Sequence, residues 1–471
     1  MTAAGWFGRK VSSLLPAEES VVPVAPRGTS ARMRATLREP GEAMTPRAMR
    51  RTLQELQAIV DPHVSDVEGG SRAKAMADWY ASATAAQQHD LWLLMSEQFL
   101  ADAPGVRLAQ ARYAAAVGTA QEASAAVQLR RETVSPRRRL LQRFSAYAGG
   151  VRFLVDLRAQ MQPVLKGDTR LLALDAEMEY MFSTWFDVGF LELRRISWDS
   201  AASLIEKLIQ YEAVHDIRSW ADVKNRLDPD RRCYGFFHPR LPEEPLIFVE
   251  VALLDHLSDS ITALLDEAAA PTNLRKATTA IFYSISNTQT GLRGVGFGDS
   301  LIKRVVDALQ TEFPGLKTFA TLSPIPGLRS WLVKNADAMV LRLDPKARAR
   351  LERAVGQSPL TAAALLKAAD QALADGAASP VRQWLMRSAA HYLGQEFSGK
   401  APLDPVARFH LGNGARVERL NWAADPSPKG LRQSCALMVN YLYDLKRLDK
   451  HRALLARGKI AMGTDLAGLQ W

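Results

Sequence analysis

The hydrophobic pattern of the chain changes near residue 190, and this change limits the folds that the sequence can adopt. Between residues 45 and 187 apolar side chains recur at helical spacing, as along Val151, Leu154 and Leu157, and strand-like runs are absent. Beyond residue 190 short apolar runs with strand composition alternate with helical stretches. We therefore predict an N-terminal all-α helical bundle followed by a mixed α/β domain.

The expected domain limits follow from this pattern and from local composition. We predict a flexible basic arm at residues 1–44, a helical domain at 45–189 and an α/β domain at 190–471. Proline and glycine residues divide the helical part into separate helices. They are Pro62, Gly69-Gly70, Pro104-Gly105, Pro136 and Gly149-Gly150.

Five apolar runs in the second part predict strands. They lie at residues 234–237, 246–253, 280–286, 318–322 and 417–422. Residues 431–454 predict a long closing helix.

Composition excludes several classes of protein. The chain has 471 residues, two cysteines and 47% hydrophobic residues. No run approaches the ~18 apolar residues of a membrane span, and residues 1–15 lack the apolar core of a signal peptide. With no disulfide framework or CxxC metal site, the sequence predicts a cytoplasmic protein without a membrane span.

The net charge of +10 raises the question of nucleic-acid binding. A basic cluster of six arginines lies between Arg130 and Arg143, around Pro136. Few aromatic residues are interleaved, so we interpret this cluster as a solvated helix end and expect no nucleic-acid partner. A basic surface also attracts a polyanionic small molecule.

The segment Arg293-Gly294-Val295-Gly296-Phe297-Gly298 lies between a predicted strand and an amphipathic helix. Glycines let the backbone approach an anion, and a helix N-terminus adds partial positive charge, so this segment is a candidate pyrophosphate cradle or a plain turn. It departs from the G-x-G-x-x-G dinucleotide pattern and from the P-loop. It is similar to the Arg/Gln-x-x-Gly-x-Gly/Ala loop of the acyl-CoA N-acetyltransferase (GNAT) fold, which implies coenzyme A as ligand.

Two further motifs carry candidate catalytic residues. In Leu322-Ser323-Pro324-Ile325-Pro326-Gly327, Ser323 either faces a ligand or caps the next helix, and it lacks the G-x-S-x-G context of a hydrolase. In the segment 409–414, His410 either is structural or is a partly buried general acid with a pKa near neutrality. None of the eight histidines has metal-site spacing, so no metal is expected.

Three sequence blocks resemble the malonyl-CoA decarboxylase family, in the same order as in that family. They are residues 231–253, 282–332 and 404–443, with the shorter phrases Leu193 to Trp198 and Tyr211 to His215 upstream. The resemblance implies a helical N-terminal domain that self-associates as a dimer or tetramer, and a catalytic domain with a GNAT-like fold.

The resemblance also assigns site residues. It implies Ser323 and His410 as catalytic residues, and Ser284 and Tyr443 as residues that bind malonyl-CoA. The loop that binds this substrate maps to Arg293, Gly294, Val295, Gly296, Phe297, Gly298 and Asp299. Gly296 replaces the Glu of animal members, and the Ser-Lys-Leu ending of peroxisomal relatives is missing.

The function implied is a carboxy-lyase of fatty acid metabolism that converts malonyl-CoA to acetyl-CoA and CO2. The thioester is itself the electron sink, so no cofactor is expected beyond the coenzyme A of the substrate. Backbone N–H groups at residues 284–287 would stabilise the enolate, Ser323 and Tyr443 would orient the carboxylate, and His410 would protonate carbon. The alternatives are a CoA-dependent acyltransferase and a CoA-sensing regulatory module.

Overall fold

The computed structural model describes residues 27–296 and 301–469. These residues form two compact units. Unit 1 contains residues 27–154 and 161–178, and unit 2 contains residues 155–160 and 179–469. Most of the predicted basic arm and three predicted loop residues, Phe297, Gly298 and Asp299, lie outside the described residues.

The first part of the chain is helical, and its described residues up to 186 contain no strand. Helices α1 to α9 are Thr29–Arg34, Pro46–Val60, Asp66–Ser82, Ala85–Glu97, Ala103–Ala116, Glu122–Thr133, Pro136–Ser145, Gly150–Met161 and Leu172–Trp185. The core of unit 1 is built from their apolar faces. It includes Leu56, Leu91, Leu94, Met95, Leu140, Phe144 and Leu154, each at most 1% exposed.

Side-chain caps set the beginnings of these helices. The Thr45 side chain accepts a hydrogen bond from the Ala48 N–H, and Thr84 forms a reciprocal capping box with Gln87. Pro136 begins α7 as predicted, because a first-turn proline lacks only an N–H that the helix leaves unused.

The prediction that Gly69-Gly70 separates two helices is wrong, since both glycines lie inside α3. A Cβ added at Gly69 would lie 2.9 Å from Cδ of Arg143. These glycines therefore permit close packing rather than a chain reversal.

The interpretation of the basic cluster as a solvated helix end is also wrong for two of its arginines. Arg137 and Arg143 are each 4% exposed. Arg137 donates to the carbonyls of Met95 and Ser96, at 3.1 and 2.6 Å, and Arg143 donates to the carbonyl of Val64 at 2.9 Å. Met95 and Ser96 lie in the last turn of α4, whose carbonyls need such donors, and Val64 lies in the loop between α2 and α3. These guanidinium groups therefore have a structural role.

Unit 2 is built on a mixed sheet of eight strands among its described residues, with the order β1-β2-β3-β4-β5-β10-β6 and with β9 paired to β10. Strands β1 to β6 are Glu192–Ile196, Arg231–His238, Leu241–Leu254, Thr279–Asn287, Thr318–Thr321 and Ser323–Pro324. A separate hairpin contains β7 and β8, which are Phe397–Ser398 and Ala401–Pro402. Strands β9 and β10 are Arg416–Asn421 and Met438–Leu442.

The helices of this part alternate with the strands along the chain. Helices α10 to α15 are Ala202–Tyr211, Trp220–Arg226, Ile261–Leu264, Leu301–Glu312, Leu328–Leu341 and Pro345–Val355. Helices α16 to α21 are Ala362–Gln371, Pro380–Gln395, Pro405–Gly412, Pro428–Ser434, Leu448–Ala456 and Thr464–Ala467. Strand β4 and strand β5 pair in parallel and are connected through α13, whereas the other pairs in the sheet are antiparallel. An all-α part followed by a mixed α/β part is the predicted fold class, which is confirmed.

The predicted closing helix at residues 431–454 is wrong. Helix α19 ends at Ser434, and Cys435 and Ala436 follow with φ values of 52° and 62°. Two consecutive left-handed residues end a helix, and the apolar run after them becomes β10, which is paired with β5, β6 and β9. In the second half of the predicted segment only residues 448–454 are helical, and they belong to α20, which continues to Ala456.

Within residues 27–296 and 301–469, none of the helices has the length and hydropathy needed to cross a bilayer.

Candidate active site

The parallel strands β4 and β5 separate partway along their length. They are paired from Thr279 opposite Thr318 to Phe282 opposite Thr321, and β4 then continues to Asn287 with β3 as its partner. A cavity of about 510 Å³ lies at this separation. It is lined by Val214, Ile247, Phe282, Tyr283, Ser284, Ile285, Asn287, Val295, Gly296, Leu301, Ser323, Pro324, Pro405, Val406, Phe409, His410, Gly412 and Asn413.

The cavity lining is mainly apolar, and its polar side chains are neutral hydrogen-bonding groups. Within the described part of the chain, no Lys, Arg, Asp or Glu lines it. An anion that enters this cavity therefore leaves water without meeting a formal positive charge on the described lining.

Ser323 lies in the short strand β6, immediately after β5. Ser323 is 6% exposed. Its hydroxyl donates to Oγ1 of Thr321 at 2.9 Å and lies 3.3 Å from Nε2 of His410. Ser323 does not cap the next helix, because α14 has Gly327 at its N-cap. The side chain is thus held beside an imidazole that lies 87 residues away in sequence.

His410 lies on α18, near its C-terminal end, and is 3% exposed. Its Nδ1 is 2.7 Å from the hydroxyl of Tyr443, and its ring stacks on Tyr441 with centroids 4.7 Å apart. Both tyrosines come from β10 and the residue that follows it. The expectation of a partly buried imidazole is therefore wrong, since the ring is enclosed on several sides.

Burial sets the protonation of this pair. It lowers the pKa of His410 to about 3 and raises the pKa of the Tyr443 hydroxyl well above its ordinary value. Both shifts favour the neutral form. The expected near-neutral pKa of His410 is wrong, and its imidazole is uncharged at physiological pH.

Ser284 lies on β4 and lines the cavity, but its hydroxyl is held by Glu212. The two carboxylate oxygens of Glu212 are both 2.8 Å from Oγ of Ser284, and one lies 3.1 Å from Oγ of Ser286. Glu212 also accepts from the N–H groups of Val214 and His215, each at 2.8 Å. Sequence reasoning quoted Glu212 only within a family phrase and missed this role, because a single carboxylate after a helix carries no local signal.

Residues 293–296, the described part of the glycine segment, form a tight turn next to the cavity, which we call the glycine turn. A 3₁₀ turn at Thr290–Leu292 leads into it, and Gly294 has a φ of +85°, which favours glycine. Val295 and Gly296 line the cavity, whereas Arg293 and Gly294 do not.

The structure thus brings together one set of predicted site residues and leaves others apart. Five of them line one cavity, namely Ser284, Val295, Gly296, Ser323 and His410. Tyr443 reaches this set through His410 and lines a neighbouring cavity. Thr321, Tyr441 and Glu212 are contacting residues that sequence reasoning did not assign to the site.

A mixed sheet whose parallel strands separate at a cavity, with a glycine turn and a helix after the longer strand, defines an α/β protein with a buried Ser–His–Tyr cluster at its candidate active site. The chain belongs to the malonyl-CoA decarboxylase family. The family's C-terminal domain, described as "Malonyl-CoA decarboxylase C-terminal domain", matches residues 189–469, and its N-terminal domain matches residues 99–186.

Individual relatives support this assignment. The mitochondrial malonyl-CoA decarboxylase of Anser anser anser is 39% identical over 328 residues, which are 66% of this chain and 65% of that protein. The enzyme of the same name from Rattus norvegicus is 40% identical over 332 residues, 68% of this chain and 67% of that protein. The chain therefore matches about two thirds of the length of these curated relatives.

Solved bacterial structures match over more of their length. The malonyl-CoA decarboxylase structure from Cupriavidus metallidurans has a TM-score of 0.73 and 44% identity, and it covers 90% of this chain and 100% of its own. The malonyl-CoA decarboxylase structure from Agrobacterium vitis has a TM-score of 0.78 and 37% identity, and the match covers 89% of this chain and 100% of that one.

Proposed function

We propose that this protein decarboxylates malonyl-CoA to acetyl-CoA and CO2. The observation that carries the proposal is the cluster of Ser323, His410 and Tyr443 at an apolar cavity beside the glycine turn. Family membership supports the same substrate and reaction.

The cavity favours loss of the carboxylate. A malonyl carboxylate that enters it finds neutral polar groups, of which the Ser323 hydroxyl is one, and no lysine or arginine among the described lining residues. A desolvated anion without a counter-charge is unfavourable, and this unfavourable state ends when the charge leaves the carboxylate as CO2 departs. The polar cluster orients the carboxylate so that the breaking bond is perpendicular to the thioester plane.

The enolate that remains needs hydrogen-bond donors at the thioester oxygen. Beyond Phe282 the edge of β4 that faced β5 is released from that partner, so backbone groups between Ser284 and Asn287 face the cavity. Preorganised N–H donors at such a position lower a barrier by about 3 kcal/mol each.

The proton reaches carbon from His410. We assign the Tyr443 hydroxyl, 2.7 Å from Nδ1, as the donor to that nitrogen, which leaves the single imidazole proton on Nε2, the nitrogen next to Ser323. As the C–C bond breaks, its electron pair enters the thioester enolate, and this carbanion takes the Nε2 proton. In the same step the Tyr443 hydroxyl gives its proton to Nδ1. Solvent returns one proton to the Tyr443–His410 pair after product release, so the reaction consumes one proton per turnover.

A direct assay tests the function. Purified protein is mixed with malonyl-CoA and no acyl acceptor, and CO2 and acetyl-CoA are both measured. We expect equimolar release of the two products, with one deuterium in the acetyl group when the assay is run in D2O. An unchanged thioester that is consumed only after an amine is added would replace this proposal with acyl transfer, and binding without turnover would indicate a CoA sensor.

The same assay tests His410. We expect His410→Asn to lower kcat by about 100-fold or more, because proton transfer loses its donor, while the affinity for CoA changes little. His391→Asn is the matched control, since His391 is also 3% exposed in unit 2 but does not line the cavity. Near-normal turnover by His410→Asn would remove this histidine from the chemistry.

Two predictions from the sequence extend the proposal. We expect the protein to act in the cytoplasm and to self-associate, as a dimer or a tetramer.

A further inference from the structure

Arg158 is a fully enclosed arginine whose guanidinium group is directed at the glycine turn. It lies in the segment of α8 that belongs to unit 2, and it is 1% exposed. Its Nη1 donates to the carbonyl of Gly291 and to the carbonyl of Arg293, both at 2.9 Å. Its Nη2 donates to Glu179 at 3.2 Å.

These two carbonyls flank the start of the turn. In a trans peptide the C=O and the following N–H point in opposite directions, so a carbonyl that is held toward Arg158 turns the next N–H away from it. The carbonyl of Arg293 shares its peptide with the N–H of Gly294. Arg158 therefore orients that N–H on the side of the turn opposite to the guanidinium.

Close packing supports the same arrangement. A Cβ added at Gly291 would lie 1.9 Å from the carbonyl oxygen of Val155, one helical turn before Arg158. Gly294 has the positive φ that glycine adopts most readily. The helix segment and the turn thus fit together only with glycine at position 291, and the arginine joins them by hydrogen bonds.

We propose that Arg158 is a positioning residue that shapes the glycine turn for the diphosphate of the CoA ester. This inference rests on the proposed function. Arg158 acts through the backbone carbonyls that it holds, so its contribution concerns the affinity for the nucleotide part of the substrate and leaves the decarboxylation step unchanged.

The test uses two substrates that differ only in the nucleotide part. Malonyl-CoA carries the diphosphate, and malonyl-pantetheine carries the same thioester without it. For Arg158→Met we expect KM for malonyl-CoA to rise roughly 10-fold or more, since hydrogen bonds to a charged donor are lost, with kcat within about 3-fold of wild type. For malonyl-pantetheine, kcat and KM of Arg158→Met should match those of the wild type. Arg158→Lys keeps the charge and should recover part of the affinity.

Arg137→Met is the matched control, because Arg137 is a buried arginine that also donates to backbone carbonyls, three of them in unit 1. We expect it to lower the melting temperature without changing KM. The inference would be overturned if Arg158→Met raised KM equally for both substrates, or if it left KM for malonyl-CoA unchanged. If Arg158→Met does not fold, the same comparison is made with Arg158→Lys.

Failure of the proposed function is separable from failure of this inference. Titration of each variant with CoA alone measures affinity without turnover. A wild type that binds CoA but releases no CO2 would contradict the decarboxylase proposal, and a weaker CoA affinity of Arg158→Met would still support the role of Arg158.

Discussion

His410 has a hydroxyl group beside each of its ring nitrogens, and this geometry determines what kind of acid it is. Nε2 faces Ser323 at 3.3 Å and Nδ1 faces Tyr443 at 2.7 Å. With its pKa lowered to about 3 by burial, the ring carries one proton rather than two at physiological pH. A thioester carbanion is a strong base, so a neutral imidazole that is oriented by a tyrosine suffices as its proton donor.

This assignment predicts the pH dependence of kcat/KM, which reports groups of the free enzyme. An imidazole whose pKa is about 3 stays neutral throughout the range above pH 5. We expect kcat/KM to be flat between pH 6.5 and 8.5, measured with malonyl-pantetheine so that substrate phosphates do not titrate. A required imidazolium with the ordinary pKa of 6.5 would instead lower kcat/KM about 50-fold across this range.

Tyr443→Phe is the companion variant for this profile. It removes the hydroxyl at Nδ1 and leaves the aromatic ring, so the imidazole loses the group that selects its tautomer. We expect kcat to fall about 10-fold, the cost of one buried hydrogen bond, with the profile still flat. A change of slope near pH 6.5 in the kcat/KM profile of the wild type or of Tyr443→Phe would contradict a neutral His410.

At the scale of secondary-structure elements, Asp404 joins the helix that carries His410 to the loop that follows Ser323. One carboxylate oxygen accepts from the N–H groups of Val406 and Ala407 at the start of α18, at 2.9 and 3.0 Å. The other oxygen accepts from the N–H of Gly327 at 3.3 Å. A single side chain therefore sets the distance between the two catalytic elements.

The variant Asp404→Asn separates these two roles. Asn keeps one acceptor oxygen for the helix cap but replaces the second by an NH2 group, which is unable to accept from Gly327. We expect kcat to fall about 10-fold with KM changed little, because the Ser323–His410 geometry loosens while the glycine turn is untouched.

Asp344→Asn is the control for a helix cap away from the cavity, since Asp344 accepts from two N–H groups at the start of α15. It should leave kcat unchanged and change stability little, because Asn caps a helix about as well as Asp. Equal kcat values for Asp404→Asn and Asp344→Asn would show that Asp404 acts only as a cap.

The elements around the glycine turn were predictable because their signals are local. The apolar run of β4, the glycines and the amphipathic face of α13 follow one another in sequence, and each has its own period or turn residue. Asp404-Pro405 was a local signal as well, since Asp at an N-cap with Pro at the next position begins a helix. That signal was not used to predict α18.

Strand β10 was not predictable in the same way. Its apolar run is short and almost entirely buried, so its pattern does not distinguish a strand from a buried helix. What decides the conformation is pairing with β5, β6 and β9, of which β5 and β6 are distant in sequence. Tyr443 was therefore assigned to the site only through the family resemblance, and its contact with His410 is known only from the structure.

At the scale of the whole molecule, two buried titratable groups of unit 2 act on stability with opposite sign. Burial lowers the pKa of His410 to about 3, so the folded state binds fewer protons there than the unfolded state. Burial, and then the nearby Glu212, raise the pKa of the fully buried Glu250 to about 8 although Arg226 donates to it. The folded state therefore binds more protons at Glu250 than the unfolded state does.

The signs follow from linkage. The unfavourable effect of His410 is absent above its unfolded pKa of about 6.5 and grows as the pH falls toward 3, by about 1.4 kcal/mol per pH unit. The favourable effect of protonated Glu250 is complete below about pH 4.5 and is lost as the pH rises through 8. Between pH 6.5 and 4.5 the two effects therefore oppose each other in the wild type.

Comparison with single variants separates the two groups. We measure the free energy of unfolding by urea titration at pH 6.5, 5.5 and 4.5 for the wild type, His410→Asn and Glu250→Gln. Relative to His410→Asn, the wild type should lose about 2 kcal/mol of unfolding free energy over this range, because only the wild type must keep a buried imidazole neutral. Relative to Glu250→Gln, the wild type should gain stability over the same range. Parallel curves for all three proteins would mean that neither group has a shifted pKa in the folded chain, and a neutral His410 would then lose its physical basis.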